Sequence, residues 1–414
     1  MRKKLFILIF IFLIQGISTN MHHPLMPSYV KHIGVPNYMF GFFFAFMNLG
    51  TMIGGPFWGN LGDAGKKKMV VILGFIIYGV NQALFGMGHI FDQWILSIFR
   101  LVSGFGIAAA ITVISGEIIV VSDQGKRARN IAYGAAALAL GGSFGQFFGG
   151  FIHTNSFFIQ LFRTDLFFNA LLFQCLLNIA LAIFVFFFFK PEPVKNSSNK
   201  KRAQFWEGFK EIKNIGPELL FFLLSLTFIT VAATNVDKYL DIYFVELGYE
   251  ADQLGNFKMI VGLVSLFAAI LLVPLFMKIK KKLSLIAIFQ ILSSILIFIV
   301  FRSKETQFII YIYSIFMIYI GIKAIYAPLE QEHVASFSNE NNIATTMGIR
   351  QSFYSIGTIV GPIFGAFVYD YNPLTLFDTS IIFFLLSVVL LLVSGLFRKK
   401  SYISNQFKTT ESYK

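Results

Sequence analysis

Ionisable side chains inside long apolar runs are the residues of this sequence best placed to do chemistry. Arg100, Asp237 and Lys323 each lie within such a run, and a charge at the centre of a membrane costs roughly 2.5–3.5 kcal/mol even on lenient scales. A carboxyl group there takes up or releases a proton as its neighbours change, because the free energy of its charged form depends on nearby charges and water. Groups of this kind are what a proton-coupled carrier requires.

The region 237–241 holds the densest set of these groups. Asp237 and Asp241 are one helical turn apart, and Lys238 is placed to pair with Asp241 as an i, i+3 neighbour. We predict that Asp237 is the main proton acceptor, with Arg100 tuning the field around it and Glu117 as the alternative carrier. A second interpretation is that the group forms a salt-bridge cluster at the outer rim of the membrane.

Other polar residues in apolar runs are candidates for lining a substrate cavity. Adjacent histidines on a helix point about 100° apart and rarely share an ion, so we predict no metal site. The interior cations favour anionic, zwitterionic or neutral amphiphiles over lipophilic cations. The cavity candidates are Asn20, His22, His23, Asn235, Lys238, Asp241 and Lys323.

The composition determines which elements must position these groups. The 414 residues are 56% hydrophobic and 13% charged, with a mean hydropathy of +0.70, whereas soluble domains are about 25% charged. Apolar runs of helix length recur along the chain, each long enough to cross about 30 Å of hydrocarbon. We therefore predict an all-α integral membrane protein rather than a barrel of alternating strands. The single cysteine excludes a disulfide within the chain.

The apolar runs divide into twelve predicted spans, with boundaries good to a few residues. In chain order, spans 1 to 12 are 5–27, 38–58, 69–90, 94–120, 131–152, 166–189, 217–245, 254–277, 283–301, 307–332, 344–368 and 376–397.

A polar, basic segment separates two halves of the chain. We predict six-helix bundles over 1–189 and 217–397, a cytoplasmic linker over 190–216 with a short interfacial helix, and a cytoplasmic tail over 398–414. With both termini inside the cell membrane, 25 of the 34 lysines and arginines face the cytoplasm and only four face outward. The net charge of +13 therefore orients the chain, and we predict no nucleic-acid partner.

The two halves resemble each other. Thr19 and Asn20 recur as Thr234 and Asn235, and further matches keep an offset of 214–217 residues across five spans. Duplicated six-span halves place a substrate site near the midplane between them, which favours transport by alternating access. The alternatives are a membrane sensor that binds a ligand without moving it, or a membrane-embedded enzyme; neither requires the duplication.

Four motifs resemble the major facilitator superfamily. GNLGDAGKKK at 59–68 is similar to its signature loop, in which we expect Gly59 and Gly65 to form a tight turn, Asp63 to cap the next helix, and Lys66 to replace the usual arginine. LSIFRLVSGFGIAA at 96–109, with Gly104, resembles the span-four motif. PLMPSY at 24–29 resembles an element of twelve-span drug:proton antiporters. The resemblance implies a role in proton coupling for Arg100.

The fourth motif is a glycine pattern that occurs once in each half. It resembles the span-five motif of the antiporter branch, and glycines at i, i+4 and i+8 form a flat stripe that allows backbone contact with a neighbouring helix. We expect these stripes to let the halves pack and slide; ordinary helix packing is the alternative. The residues are Gly141, Gly145, Gly149 and Gly150, then Gly357, Gly361, Pro362 and Gly365.

Taken together, the residues predict a secondary transporter rather than an enzyme. We expect proton-coupled export of small amphipathic compounds by a monomer in the lipid bilayer, driven by the proton gradient without a cofactor. A proton-driven uptake symporter for an organic anion or nutrient is the alternative within transport.

Overall fold

A computed structural model describes residues 2–123, 127–162, 166–192, 215–279, 281–337 and 343–411. No strand occurs in these ranges, and eleven continuous helical segments are long and apolar enough to span a membrane. The longest, Met39–Gly86, contains two spans, because Gly65 has φ = 87° and breaks the helix there. The prediction of an all-α protein with twelve spans is therefore confirmed. The predicted interfacial helix of the linker lies outside the described residues.

The observed helices begin and end close to the predicted boundaries. A short helix, Ser156–Phe162, lies between spans 5 and 6, and the helix of span 12 continues past the predicted end at 397. In chain order the twelve spans are Arg2–Asn20 with Met26–His32, Met39–Leu61, Lys67–Gly86, Gln93–Val120, Arg127–Thr154, Leu166–Phe188, Pro217–Glu246, Ala251–Phe267 with Val273–Phe276, Lys282–Phe301, Phe308–Tyr313 with Ile315–Ala335, Ile343–Tyr371 and Pro373–Glu411.

Span 1 is interrupted where its polar residues lie. The helix Arg2–Asn20 ends before a 3-10 turn at His23–Leu25, and a second helix, Met26–His32, follows. Pro24 and Pro27 lack the N–H that an uninterrupted α-helix needs. His22 and His23 therefore sit at a break in the backbone.

The chain divides into two compact units. Unit 1 comprises Met1–Gln204, Lys238–Leu266 and Pro362–Asp370, and unit 2 comprises Phe205–Asp237, Phe267–Gly361 and Tyr371–Lys414. The division falls inside spans 7, 8 and 11, so unit 1 contains the first six spans together with segments of the C-terminal half. The boundaries predicted for two six-helix bundles remain predictions.

Close backbone contacts hold the helices of unit 1 together. A Cβ on Gly141 or Gly145 would lie 2.1 Å from the carbonyl oxygen of Leu13 or Ile17, respectively. At these two glycines the span-five stripe thus packs against span 1 of the same half, while the expectation of a sliding contact between the halves stays a prediction. In span 4, a Cβ on Gly104 would lie 1.9 Å from a carbonyl oxygen of span 2.

Unit 2 repeats this arrangement. A Cβ on Gly357 would lie 2.6 Å from the Thr230 side chain, and one on Gly361 would lie 3.2 Å from the Val231 carbonyl oxygen. Span 11 thus packs on span 7 as span 5 packs on span 1. The internal repeat seen in the sequence is reproduced in the helix packing, while Gly365 is buried in span 11.

Replacing Gly149 with valine should destabilise the protein by about 1–3 kcal/mol, the usual cost of overpacking. A Cβ at Gly149 would lie 1.8 Å from the Met21 carbonyl oxygen, so the backbones of spans 1 and 5 would have to separate. The free energy of unfolding in mixed micelles measures the effect.

Gly116→Ala is the matched control for this test. No atom lies within 4 Å of a Cβ placed on Gly116, and alanine favours the helix by up to about 1 kcal/mol. Equal stability of the Gly149→Val variant and wild type would contradict the close contact.

Candidate functional site

The structure divides the predicted polar residues between the two units. Asp237, Lys323 and Asn235 belong to unit 2, while Arg100, Glu117 and the remaining cavity candidates belong to unit 1. Asp237 and Asp241, which we expected to act on one helical face, fall in different units. Each unit therefore holds its own set of ionisable groups.

Arg100 has no exposed surface and is the most deeply buried cation among the described residues of unit 1. Its guanidinium lies 3.0 Å from His22 Nε2, donates to Gln82 Oε1 at 3.2 Å, and donates to the Phe43 carbonyl oxygen at 3.4 Å. Its central carbon is 5.2 Å from the centre of the Phe85 ring. The planar fork of donors suits several fixed acceptors at once, so the structure confirms that this arginine faces the protein interior.

The contact with Arg100 sets the protonation of His22. Arginine only donates, so Nε2 of His22 must accept, and the neutral ring carries its proton on Nδ1. The Gln174 amide nitrogen lies 3.5 Å from this Nδ1 and donates to the Ser18 carbonyl oxygen and to the Tyr78 hydroxyl. Sequence reasoning missed Gln82 and Gln174; their only signal was a polar amide inside an apolar run.

A second group of charges in unit 1 surrounds His23. Lys238 Nζ lies 2.9 Å from His23 Nδ1 and 4.1 Å from the centre of the Phe44 ring. Asp241 forms a buried ion pair with Lys258 of span 8. The sequence suggested Lys238 as the partner of Asp241, and Lys258, a lysine inside an apolar run, had been left without a role.

Unit 2 contains one ion pair between two predicted residues. Lys323 of span 10 donates to the Asp237 carboxylate of span 7, and each side chain is 31% exposed. Lys323 lies near the middle of its span, and the alternative of a salt-bridge cluster at the outer rim stays a prediction. Tyr319, also on span 10, is close enough for its hydroxyl to interact electrostatically with Asp237. Asn235, two residues before the carboxylate, is fully buried.

Glu117 occupies a different environment from the other candidates. Its carboxylate accepts from Lys67 Nζ at 2.8 Å and from the backbone N–H of Glu192, and only 1% of its side chain is exposed. Glu192 in turn binds Lys4, and that hydrogen bond lowers the pKa of the Glu192 carboxyl. These contacts join the start of span 3, the end of span 4 and the chain after span 6, which favours a structural role over proton carriage.

Unit 2 contains an ion pair that corresponds to Lys67–Glu117 in unit 1. Lys282 at the start of span 9 pairs with Glu332 near the end of span 10, and both residues lie 215 positions after Lys67 and Glu117. The pair in unit 2 is more exposed, with 41% of the Glu332 side chain accessible against 1% for Glu117. The repeat therefore extends to the charged contacts at this end of the helices.

Glu117→Gln should cost about 1–3 kcal/mol of stability, because Lys67 loses its carboxylate while the neutral amide keeps an acceptor for the Glu192 N–H. Proton-driven flux should persist in the variant that folds. Glu332→Gln, the exposed counterpart, should cost under about 1 kcal/mol. Thermal unfolding and vesicle flux of the two variants test this. Loss of proton dependence in Glu117→Gln would contradict the structural role and support Glu117 as a proton carrier.

The signature loop between spans 2 and 3 turns at one glycine only. Gly65 has φ = 87°, which strongly favours glycine, whereas Gly59 lies within the helix Met39–Leu61. The helix of span 3 has Lys66 as its N-cap and no side-chain hydrogen bond caps it. The predicted turn at Gly59 and the predicted cap by Asp63 are therefore wrong.

Within unit 1, segments of the C-terminal half contact the first six spans directly. A Cβ on Gly150 of span 5 would lie 2.6 Å from the Ala251 carbonyl oxygen, and one on Gly255 of span 8 would lie 3.4 Å from the Phe147 Cα. A Cβ on Gly41 of span 2 would lie 2.1 Å from the Pro362 carbonyl oxygen of span 11. These contacts lie towards the helix ends that we predict to be outside the cell.

The described residues contain no group of three or more histidine, cysteine, aspartate or glutamate side chains that could hold a metal ion. The rings of His22 and His23 have centres 4.5 Å apart and are tilted by 30°, and they contact Arg100 and Lys238 respectively. Both histidines are therefore placed as hydrogen-bond partners of cations.

The chain is similar over most of its length to known membrane transport proteins. The family model described as Major Facilitator Superfamily matches residues 8–334. Quinolone resistance protein NorA of Staphylococcus aureus (strain MRSA252) is 24% identical over 380 residues, which cover 89% of this chain and 91% of that protein. Multidrug resistance protein 2 of Bacillus subtilis (strain 168) is 22% identical over 361 residues, 84% of each chain. The crystal structure of a D-xylose-proton symporter superposes with a TM-score of 0.74 at 16% identity, covering 94% of this chain and 96% of that one.

Proposed function

Because the chain belongs to the Major Facilitator Superfamily of membrane transporters, we propose that it exports small amphipathic compounds in exchange for protons. It is a multi-pass membrane protein. Two similar proteins named for quinolone and multidrug resistance support export, and the proposed location is the plasma membrane with both termini inside.

The Asp237–Lys323 ion pair is the observation that carries the proposal. Both side chains are partly exposed and Lys323 lies near the middle of its span, so water and protons reach a carboxylate inside a membrane-spanning helix. Protonation of Asp237 removes the charge that holds Lys323, and the two helices then lose an attraction. Proton coupling requires a group of this kind, whose protonation changes the relative stability of two helix arrangements.

Alternating access supplies the second part of the mechanism. In unit 1 the segments 238–266 and 362–370 pack against the first six spans through close glycine contacts. We propose that these contacts are the closed outer gate. Release of a proton from Asp237 to the cytoplasm and uptake of another from outside would accompany their closing and opening.

Flux in proteoliposomes tests this function. Purified protein is reconstituted with an internal pH dye, a pH gradient is imposed, and a fluorescent fluoroquinolone is added. We expect substrate to move towards the proton-rich side while the gradient collapses faster than in protein-free vesicles. Movement of substrate together with protons would identify a symporter instead, and the absence of any proton-linked flux would contradict the proposal.

A further inference from the structure

Two exposed histidines meet at the end of unit 1 that we predict to face outward. His32 is the last residue of the helix Met26–His32, and His89 follows the end of the span 3 helix, Lys67–Gly86. Their Nε2 atoms lie 2.9 Å apart, and both residues are exposed. This pair is separate from the residues assigned to transport and from the two histidines at the break in span 1.

Close contacts one turn away hold the backbone on both sides of the pair. The Tyr29 hydroxyl donates to the Phe85 carbonyl oxygen, and these two residues precede His32 and His89 by three and four positions. A Cβ on Gly88 would lie 2.3 Å from the Tyr29 hydroxyl oxygen. These contacts place the two histidines side by side independently of the contact between their rings.

Packing also orients the ring of His32. Its centre lies 4.8 Å from the centre of the Phe167 ring, and Phe167 is buried at the start of span 6. His153 packs on the same phenylalanine, with ring centres 4.6 Å apart. A side chain that is held in place before a ligand arrives loses less conformational freedom on binding.

The distance between the two nitrogens matches neighbouring ligands on one metal ion. With metal–nitrogen bonds of about 2.1 Å, nitrogens at right angles around an octahedral or square-planar ion lie about 3.0 Å apart, and those around a tetrahedral ion lie about 3.4 Å apart. The observed separation of 2.9 Å agrees with the right-angled arrangement.

The placement of the rings agrees with the same arrangement. Two imidazole rings bound at right angles would have centres about 4.6 Å apart, and the centres of the His32 and His89 rings are 4.6 Å apart. In a straight N–H···N hydrogen bond of the same length, the centres would be about 5.2 Å apart. The two rings are therefore inclined to the line that joins their nitrogens, as two ligands of one ion are.

We propose that His32 and His89 bind a divalent transition-metal ion through their Nε2 atoms, with water completing its coordination. Imidazole suits copper, nickel and zinc, and the right-angled geometry favours Cu²⁺ and Ni²⁺ over tetrahedral Zn²⁺. The ion takes the place of the proton between the two nitrogens, so each neutral ring carries its proton on Nδ1. A further contact at Nδ1 is compatible with this arrangement, since metal-bound histidines usually donate from their other nitrogen.

Copper binding to the purified protein, prepared without a polyhistidine tag, tests the site. Isothermal titration calorimetry counts the ions bound per chain, and the hyperfine splitting in the electron paramagnetic resonance spectrum of Cu²⁺ counts its nitrogen ligands. We expect one Cu²⁺ per chain with two nitrogen ligands, and weaker binding of Ni²⁺. The midpoint of thermal unfolding should rise with metal, because the ion binds the folded chain.

Substitution of each histidine locates the ion. Losing an outer-shell partner of a metal ligand already weakens binding by about 10–100-fold, so His32→Ala and His89→Ala should each weaken Cu²⁺ binding by about tenfold or more. Both residues are exposed, so these variants should fold normally. His153→Ala is the matched control, because it removes the other histidine on Phe167 and should bind Cu²⁺ as wild type does.

Several results would overturn the inference. Undiminished Cu²⁺ binding in either His32→Ala or His89→Ala would show that the two rings do not share the ion, as would hyperfine splitting from a single nitrogen. Equal loss of binding in His153→Ala would also contradict a site built from these two residues. None of these measurements requires flux, so their outcome is independent of the proposed transport function.

Discussion

Asp237→Asn should abolish the accumulation of substrate against its gradient. A gradient of one pH unit is worth about 1.4 kcal/mol per proton, which supports about tenfold accumulation in one-for-one electroneutral exchange. Asparagine has the shape of aspartate but takes up no proton, so the accumulation ratio of the variant should fall to about one. Downhill exchange of substrate should survive, since the cavity is otherwise intact.

Two further variants separate coupling from structure. Asp237→Asn also leaves Lys323 without the carboxylate it contacts, so the double variant Asp237→Asn, Lys323→Met removes the orphaned cation and should regain stability without regaining accumulation. Asp378→Asn is the matched control, because Asp378 pairs with Arg302 at an exposed position. Undiminished proton-driven accumulation in Asp237→Asn would remove Asp237 from the mechanism.

Arg100→Lys should reduce transport to background, and it should lower the midpoint of thermal unfolding. One ammonium cannot replace the guanidinium contacts with His22, Gln82 and the Phe43 carbonyl oxygen. Breaking a buried charged contact while leaving its partners unsatisfied costs about 3–5 kcal/mol. Thermal unfolding in detergent and vesicle flux measure the two effects separately.

Arg100→Met distinguishes a functional arginine from one that only joins helices. Methionine fills a similar volume without a charge, and replacing buried charges with apolar groups is often neutral for stability or improves it. We expect this variant to fold and to lose proton-coupled transport, because the positive field at His22 and His23 is gone. A folded Arg100→Met protein with normal coupling would assign Arg100 a structural role alone.

Much of the fold was predictable because it depends on local properties of the sequence. The number of spans follows from apolar length, and the repeat of Lys67 and Glu117 as Lys282 and Glu332 preserves the same contact in each unit. The buried position of Arg100 was also predictable, since no arginine at that depth is stable facing lipid.

The partners of the site residues were not predictable to the same degree. Asp241 forms an ion pair with Lys258, and Asp237 forms one with Lys323. Neither partner follows from the sequence, because the rotation of each helix about its axis is set by packing across the bundle. The glycine stripe of span 5 shows the same effect. Its spacing predicts close contact with a helix, but which helix it meets depends on the tertiary arrangement.

The most direct test of the account is whether the contact between spans 5 and 8 must open during transport. Phe147→Cys with Gly255→Cys, in a Cys175→Ser background that removes the sole native cysteine, brings two thiols within reach of a disulfide. Oxidation should stop substrate flux in proteoliposomes and reduction should restore it. The single Phe147→Cys and Gly255→Cys variants should respond to neither treatment, which separates the disulfide from the crowding by a Cβ 2.8 Å from the Gln146 carbonyl oxygen. Full flux through quantitatively crosslinked protein would contradict transport by alternating access.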